Sequence, residues 1–133
     1  DVESIHLRNF PSLPAHWENK QLEQKWARII ELRKLVLEAI EPMRASKELG
    51  SSLEAMPNIS LNSNDIKILE NQNFADICIT SQIAITEGDF HICIGKAQGK
   101  KCQRCWKILP EVAPSTNHIC NRCHNAISQK QAA

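Results

Sequence analysis

Two Cys-x-x-Cys pairs, Cys102/Cys105 and Cys120/Cys123, stand 14 residues apart in this 133-residue chain. No other feature restricts the fold as much. Each pair makes a tight turn in which two thiolates converge while the intervening amides face sulfur. Two such turns close a tetrahedral four-sulfur shell, the arrangement of structural zinc. Segment 97–133 holds few large apolar residues, namely Trp106, Ile108, Leu109, Val112, Ile119 and Ile127. That is too little for a hydrophobic core. Zinc ligation contributes roughly 10–16 kcal/mol in small peptides, so one structural Zn2+ is expected to order the segment. His118 and His124 flank the second pair, which leaves a three-thiolate, one-imidazole site open. Four cysteines also suit an iron–sulfur centre. Catalytic zinc is disfavoured, because it needs a free coordination position. No catalytic residue is expected in the chain.

Charge is unevenly placed. Residues 1–94 carry 9 Lys/Arg and 14 Asp/Glu, whereas 95–133 carry 7 Lys/Arg and a single acid, Glu111. A basic end on an acidic body points to an anionic partner for that end, with a solubilising tail as the plain alternative. Lys96, Lys100, Lys101, Arg104, Lys107 and Arg122 surround the cysteine turns. Arg104 and Arg122 each directly precede the second cysteine of a pair and are expected to project from the turn tips. Cations on a metal-pinned scaffold suit phosphate contact. Trp106 either packs beneath the metal loops or stacks on an unpaired base.

The chain has no apolar run near the ~20 residues that span a bilayer and no secretory signal pattern. Paired cysteines in that context favour metal over disulfide and a reducing compartment. The chain starts at Asp1 rather than Met, which reads as a piece of something longer.

The other elements make the class α+β. Leu22, Trp26, Ile29, Ile30, Val36, Leu37 and Ile40 recur at helical spacing, widened by Leu32 and Leu35, and predict a long amphipathic helix from a bundle. Pro42 is expected to break or kink it near Glu41, with Gly50 as a left-handed stop. Segment 49–96 reads as a small mixed α/β unit: a strand at "NISL", a short helix in "NSNDIKILENQ", and strands in "ADICITSQIAI" and "FHICI". The turn Glu87-Gly88-Asp89 is expected to join those last two strands in a hairpin. Cys78 and Cys93 read as ordinary reduced thiols.

Four stretches carry a family resemblance: "SIHLRNFP" (Ser4–Pro11), "W…LRKLVLEAIEPMRASKELGSSLEA" (Trp26–Ala55), "KCQRCW" (Lys101–Trp106) and "CNRC" (Cys120–Cys123). In this order they resemble the carboxy-terminal region of bacterial-type isoleucyl-tRNA synthetases. The resemblance implies three parts: residues 1–48 as the end of a helical anticodon-binding domain, 49–96 as a junction domain, and 97–133 as a zinc finger and tail. It implies that Lys100, Lys101, Arg104, Trp106, Lys107 and Arg122 meet the anticodon region of tRNA. It also implies a cytoplasmic, monomeric parent enzyme, a ligase using ATP and Mg2+ to attach isoleucine to tRNA. The family's His-Ile-Gly-His and Lys-Met-Ser-Lys-Ser motifs do not occur in these residues. Two other functions fit the cysteine pattern: a zinc clamp docking the tail onto its parent, and a nucleic-acid finger like that of some DNA glycosylases.

Overall fold

The computed structural model describes residues 4–131. Residues 1–3 and 132–133, the outer ends of the first and third expected segments, lie outside it. The fold is α+β, built on one long helix and two small sheets.

Helix α1 spans Lys20–Ala45. Asn19 starts it, its side-chain oxygen accepting from the Leu22 amide at 3.0 Å, which satisfies an otherwise orphaned first-turn donor. The buried stripe is Ile29, Leu32, Val36 and Ile40, three to four residues apart. Leu22, Trp26 and Ile30, expected on the inward face, are exposed, because the first turns of α1 carry apolar residues beyond the buried stripe. Pro42 does not break the helix, which continues to Ala45. It sits in the last turn, where a missing amide removes only one bond. The chain then leaves through Lys47, whose φ of 63° makes it the left-handed residue in place of Gly50. The Lys47 amide donates to Arg44 O at 3.1 Å and the Leu49 amide to Met43 O at 3.1 Å. These bonds cover helix-end carbonyls and turn Leu49 into the core.

Strands β1 (Ala55–Leu61), β2 (Ala84–Glu87) and β3 (His91–Lys96) form a sheet in the order β2-β1-β3. Strand β1 is parallel to β2, from Asn58↔Ala84 to Leu61↔Glu87, and antiparallel to β3, from Ala55↔Lys96 to Ser60↔His91. The expected 76–94 hairpin therefore does not form. β1 lies between its two arms because β1 buries Ala55, Pro57, Ile59 and Leu61 and takes the central place. The Glu87–Asp89 turn crosses the end of β1, and the Gly88 amide donates to Leu61 O at 3.0 Å. Pro57 is tolerated because pairing with β2 starts only at Asn58, so β1 has one neighbour there.

Between β1 and β2 run two short helices, α2 (Ser63–Leu69) and α3 (Phe74–Ile77). The strand expected in "ADICITSQIAI", residues 75–85, is helical at its start, and only Ala84 and Ile85 of it are extended in β2. Asn73 overrides the alternation by capping a helix, its side chain accepting from the Asp76 amide at 3.2 Å. Ile79 then turns the chain at a φ of 57°. Asn62 caps α2 in the same way, accepting from the Asp65 amide at 2.9 Å.

One core joins α1 to the sheet and short helices: Ile29, Leu32, Val36, Ile40, Leu49, Ala55, Ile59, Leu61, Leu69, Phe74 and Cys78. Burial pushes the Cys78 thiol up to about 12, against a smaller opposing effect of Arg33, so it behaves as an inert core thiol. Polar ties add direction. Arg28 donates from Nε and Nη2 to the two oxygens of buried Asp65, each at 2.7 Å, and Arg33 Nε donates to Ile77 O at 2.8 Å.

Candidate metal centre

The second sheet, β4 (Lys100–Lys101) and β5 (Ile108–Leu109), is a two-residue ladder carrying the first cysteine turn at its tip. The Cys102 amide donates to Lys107 O at 2.8 Å and the Trp106 amide to Cys102 O at 3.0 Å. Trp106 closes the turn in the left-handed region, φ 68°. Gly99, at φ 118°, lets the chain into the ladder, since a Cβ there would lie 2.2 Å from Leu109 C. The second turn leads into helix α4 (Asn121–Gln131), so Cys123 lies in a helical first turn. Two bonds lock the turns together: Gln103 N to His118 O at 3.0 Å and Cys120 N to Cys102 Sγ at 3.3 Å.

The structure brings together the four sulfurs that the spacing singled out. Cys102, Cys105, Cys120 and Cys123 have Sγ atoms all within 4.8 Å of one another, with Cys105 and Cys120 3.7 Å apart. A tetrahedron with Zn–S bonds of about 2.3 Å has sulfur–sulfur edges of about 3.8 Å, so the cluster fits a zinc site. A disulfide would need about 2.05 Å, and all six cysteines are free. His118 and His124 are exposed and stand outside the cluster. Among the described residues, the apolar side chains clustered with the sulfurs are Val112, Leu109 and Ile119.

The thiols are tuned unequally. Burial raises Cys102, but the amides of Cys105, Cys120 and Arg104 outweigh it and bring the thiol to about 6. Burial pushes Cys105 up to about 12 and also raises Cys120. The Cys102 thiolate forms readily, and Cys105 and Cys120 resist until a cation offsets their charge.

The expected tRNA-contact residues divide. Lys100, Lys101, Arg104 and Trp106 are exposed. Lys101 Nζ sits 5.0 Å from the Trp106 ring centroid, a cation–π geometry. Trp106 is 60 % exposed and so does not serve as the packing beneath the loops. Arg104 Nη1 folds back to 3.7 Å from Cys123 Sγ. Lys107 is largely covered and ion-paired with Asp76, and Arg122 reaches the other Asp76 oxygen at 3.7 Å. Arg104 and Arg122, equivalent in sequence, therefore differ in surroundings.

Three residues that the sequence did not mark dock this unit on the body. Asp76 pairs as above. Ser81 Oγ donates to Leu53 O and accepts from the Ile108 amide, each at 2.6 Å. Gln82 Nε2 donates to Gln98 O at 2.6 Å and Ile108 O at 3.1 Å. The available signal was a polar Thr80-Ser81-Gln82 triplet interrupting apolar residues.

No family model matches the chain. It is 39% identical over 130 residues to the isoleucine–tRNA ligase of Zymomonas mobilis, covering 97% of this chain and 14% of that protein. To the isoleucine–tRNA ligase of Agrobacterium fabrum it is 40% identical over 127 residues, 84% of this chain and 13% of the relative. The chain is homologous to one region of isoleucine–tRNA ligase. A more distant relative, the isoleucine–tRNA ligase of Kosmotoga olearia, is 34% identical over 136 residues, 92% of this chain and 15% of its own length. The chain thus spans about one-seventh of the length of the ligases it matches. Among the described residues of this ligase homologue, no helix is long and apolar enough to cross a membrane.

Proposed function

We propose that the chain is the carboxy-terminal part of an isoleucine–tRNA ligase, with one structural zinc ion held by Cys102, Cys105, Cys120 and Cys123. The finger so formed helps recognise the anticodon region of tRNA. The parent enzyme is cytoplasmic and monomeric and uses ATP and Mg2+ to attach isoleucine. Residues 1–48, 49–96 and 97–133 are then the end of its anticodon-binding bundle, a junction and the finger. The observation that carries the reading is the convergence of four sulfurs within 4.8 Å of one another, beside exposed Lys100, Lys101, Arg104 and Trp106.

Zinc, when bound, supplies a four-way cross-link in a segment with little core of its own. The chain's own residues do the rest. Lys100, Lys101 and Arg104 offer phosphate contacts that do not depend on sequence, and Trp106 offers a stacking surface for an unpaired base. Lys107 and Arg122, engaged by Asp76, act first by holding the finger at a set angle to the body. Exposed Ile5, Leu7, Phe10, Leu13, Trp17, Leu22 and Ile30 suit burial against the rest of a helical bundle.

The test is elemental analysis followed by tRNA binding across a salt series. One zinc per chain is expected. Arg104→Gln should weaken all tRNAs alike and flatten the salt slope. Trp106→Ala should cost roughly ten- to a hundredfold with the slope kept, from about 1–3 kcal/mol of stacking. A chain without zinc, or a folded Trp106→Ala chain that binds tRNA like the parent, overturns the corresponding part.

A further inference from the structure

Two cations from different cysteine turns meet on one carboxylate of the body. Lys107, just past the first turn, is ion-paired with Asp76 Oδ1, and Arg122 Nη1, inside the second, stands 3.7 Å from Asp76 Oδ2. Asp76 is held in place by its neighbour in sequence. Asn73 Nδ2 donates to Asp76 Oδ2 at 3.0 Å, and the Asn73 side chain accepts from the Asp76 amide at 3.2 Å. The joint between finger and body has other bonds as well. Ser81 and Gln82 bind backbone groups of Gln98 and Ile108. Those bonds are uncharged, so docking does not rest on the carboxylate alone.

What Asp76 adds follows from its charge. Two converging cations suit the non-bridging oxygens of a phosphate. A carboxylate presents a similar pair of anionic oxygens. Residues 95–133 contain one acid, Glu111, so the anion that engages these cations comes from the body. The pair is closed unevenly. The Lys107 side chain is 16 % exposed and that of Arg122 is 76 % exposed. The 3.7 Å separation at Arg122 exceeds the ~2.7–2.9 Å of a charge-assisted hydrogen bond. Arg122 is therefore open to an incoming anion, whereas Lys107 is covered.

Resting on the reading of the finger as an RNA-binding unit, we propose that Lys107 and Arg122 form a backbone-phosphate subsite that Asp76 occupies in the free chain. RNA must displace the carboxylate to fill it. A phosphate meets Arg122 first and then replaces Asp76 at Lys107. Asp76 thereby lowers the affinity for RNA of any sequence. By linkage, bound RNA weakens the joint as much as the joint weakens RNA binding.

The test uses the zinc-loaded 133-residue chain and a stem-loop RNA with a uridine loop, followed by fluorescence anisotropy over a salt series. Asp76→Asn should bind about three- to fivefold tighter, the scale of a partly exposed ion pair. Its salt slope should steepen by about 0.7–0.9 for each cation freed. In a chain already carrying Lys107→Gln and Arg122→Gln the gain should disappear, because there is no pair left to release. A gain of the same size in that background is the general effect of one charge and overturns the subsite. Asp76→Asn binding no tighter than the parent overturns it too. Zinc content reports folding. The parent chain alone gives a further reading: RNA should speed hydrogen exchange at the Ile108 amide, next to Lys107. Unchanged or slower exchange overturns the displacement, whatever the variants do. Failure of parent and variants alike to bind RNA overturns the RNA-binding reading and the subsite with it.

Discussion

Gly99 and Asp65 show how single residues set stability in different ways. At Gly99 the backbone has φ 118°, and an added Cβ would sit 2.2 Å from Leu109 C, 2.3 Å from Leu109 O and 2.5 Å from Pro110 N. None of those backbone atoms can step aside without opening the β4–β5 ladder. Gly99→Ala is therefore expected to cost at least the ~1–3 kcal/mol of a strained backbone and to weaken zinc retention. Competition with a chromogenic chelator reads the second effect directly. Asp65 is a matter of charge. Its bonds from Arg28 hold its carboxyl below the ordinary value of 3.8 despite burial. A carboxyl lowered in the fold binds more protons when unfolded. Its stabilising contribution is thus complete above about pH 4 and is lost as pH falls through the still lower folded value. Thermal melts of the parent and Asp65→Asn from pH 7 to 2.5 should show their stability difference shrinking below pH 4. A difference that stays constant would deny the ion pair this role. Zinc loss at acid pH is common to both chains and cancels in the comparison.

At the scale of elements, the body and the finger are ordered by different forces, so they should separate under chelation. The body's buried cluster contains α1, the sheet, α2 and α3, while the finger's contains three cysteines and Val112. EDTA is expected to release amide protection at Gln103, Trp106 and Cys120 and to leave β1 and β3 protected in hydrogen exchange. Collapse of both together would mean that the finger supports the body. Rebinding should be steeply pH-dependent. Cys105 is pushed up to about 12 and Cys120 is raised, so zinc must displace their protons, and affinity falls as pH falls. Asp76 tests the hinge between the two units. Asp76→Asn removes partners of both Lys107 and Arg122. Partly exposed pairs contribute little, on the order of 1 kcal/mol. The expected outcome is a finger that keeps its zinc but exchanges faster at the Ile108 amide.

For the whole molecule, α1 is part of the body's core and no mere neighbour of it. Ile29 and Ile40 are almost wholly buried with Ile59 and Leu61 of β1 in one cluster. Ile29→Ala should cost about 2–5 kcal/mol, read as a lowered denaturation midpoint of the sheet as well as of the helix. Residues 1–48 cut away from the remainder should not hold a stable helix, since that stripe loses its cover. Slow hydrogen exchange across α1 in a proven monomer of that piece would count against this.

Some of this was fully legible in the amino-acid order. The zinc-type centre was readable because a metal shell depends on residue type and close spacing, and both are local. The long helix, the strand at Asn58–Leu61 and the short helix after Asn62 were readable for the same reason, from periodicity and a capping side chain. The Asn73 cap was also present in the sequence, but the apolar alternation after it pointed the other way. Tertiary structure alone decided the rest. Whether Ala84–Glu87 pairs with His91–Lys96 or with Ala55–Leu61 depends on which strand buries most between two others, and no local signal ranks them. Likewise, nothing near Lys107 or Arg122 in sequence names Asp76. Charge and hydrogen bonding act over a few ångströms in space, and only the fold brings Asp76 within that reach of residues so far along the chain.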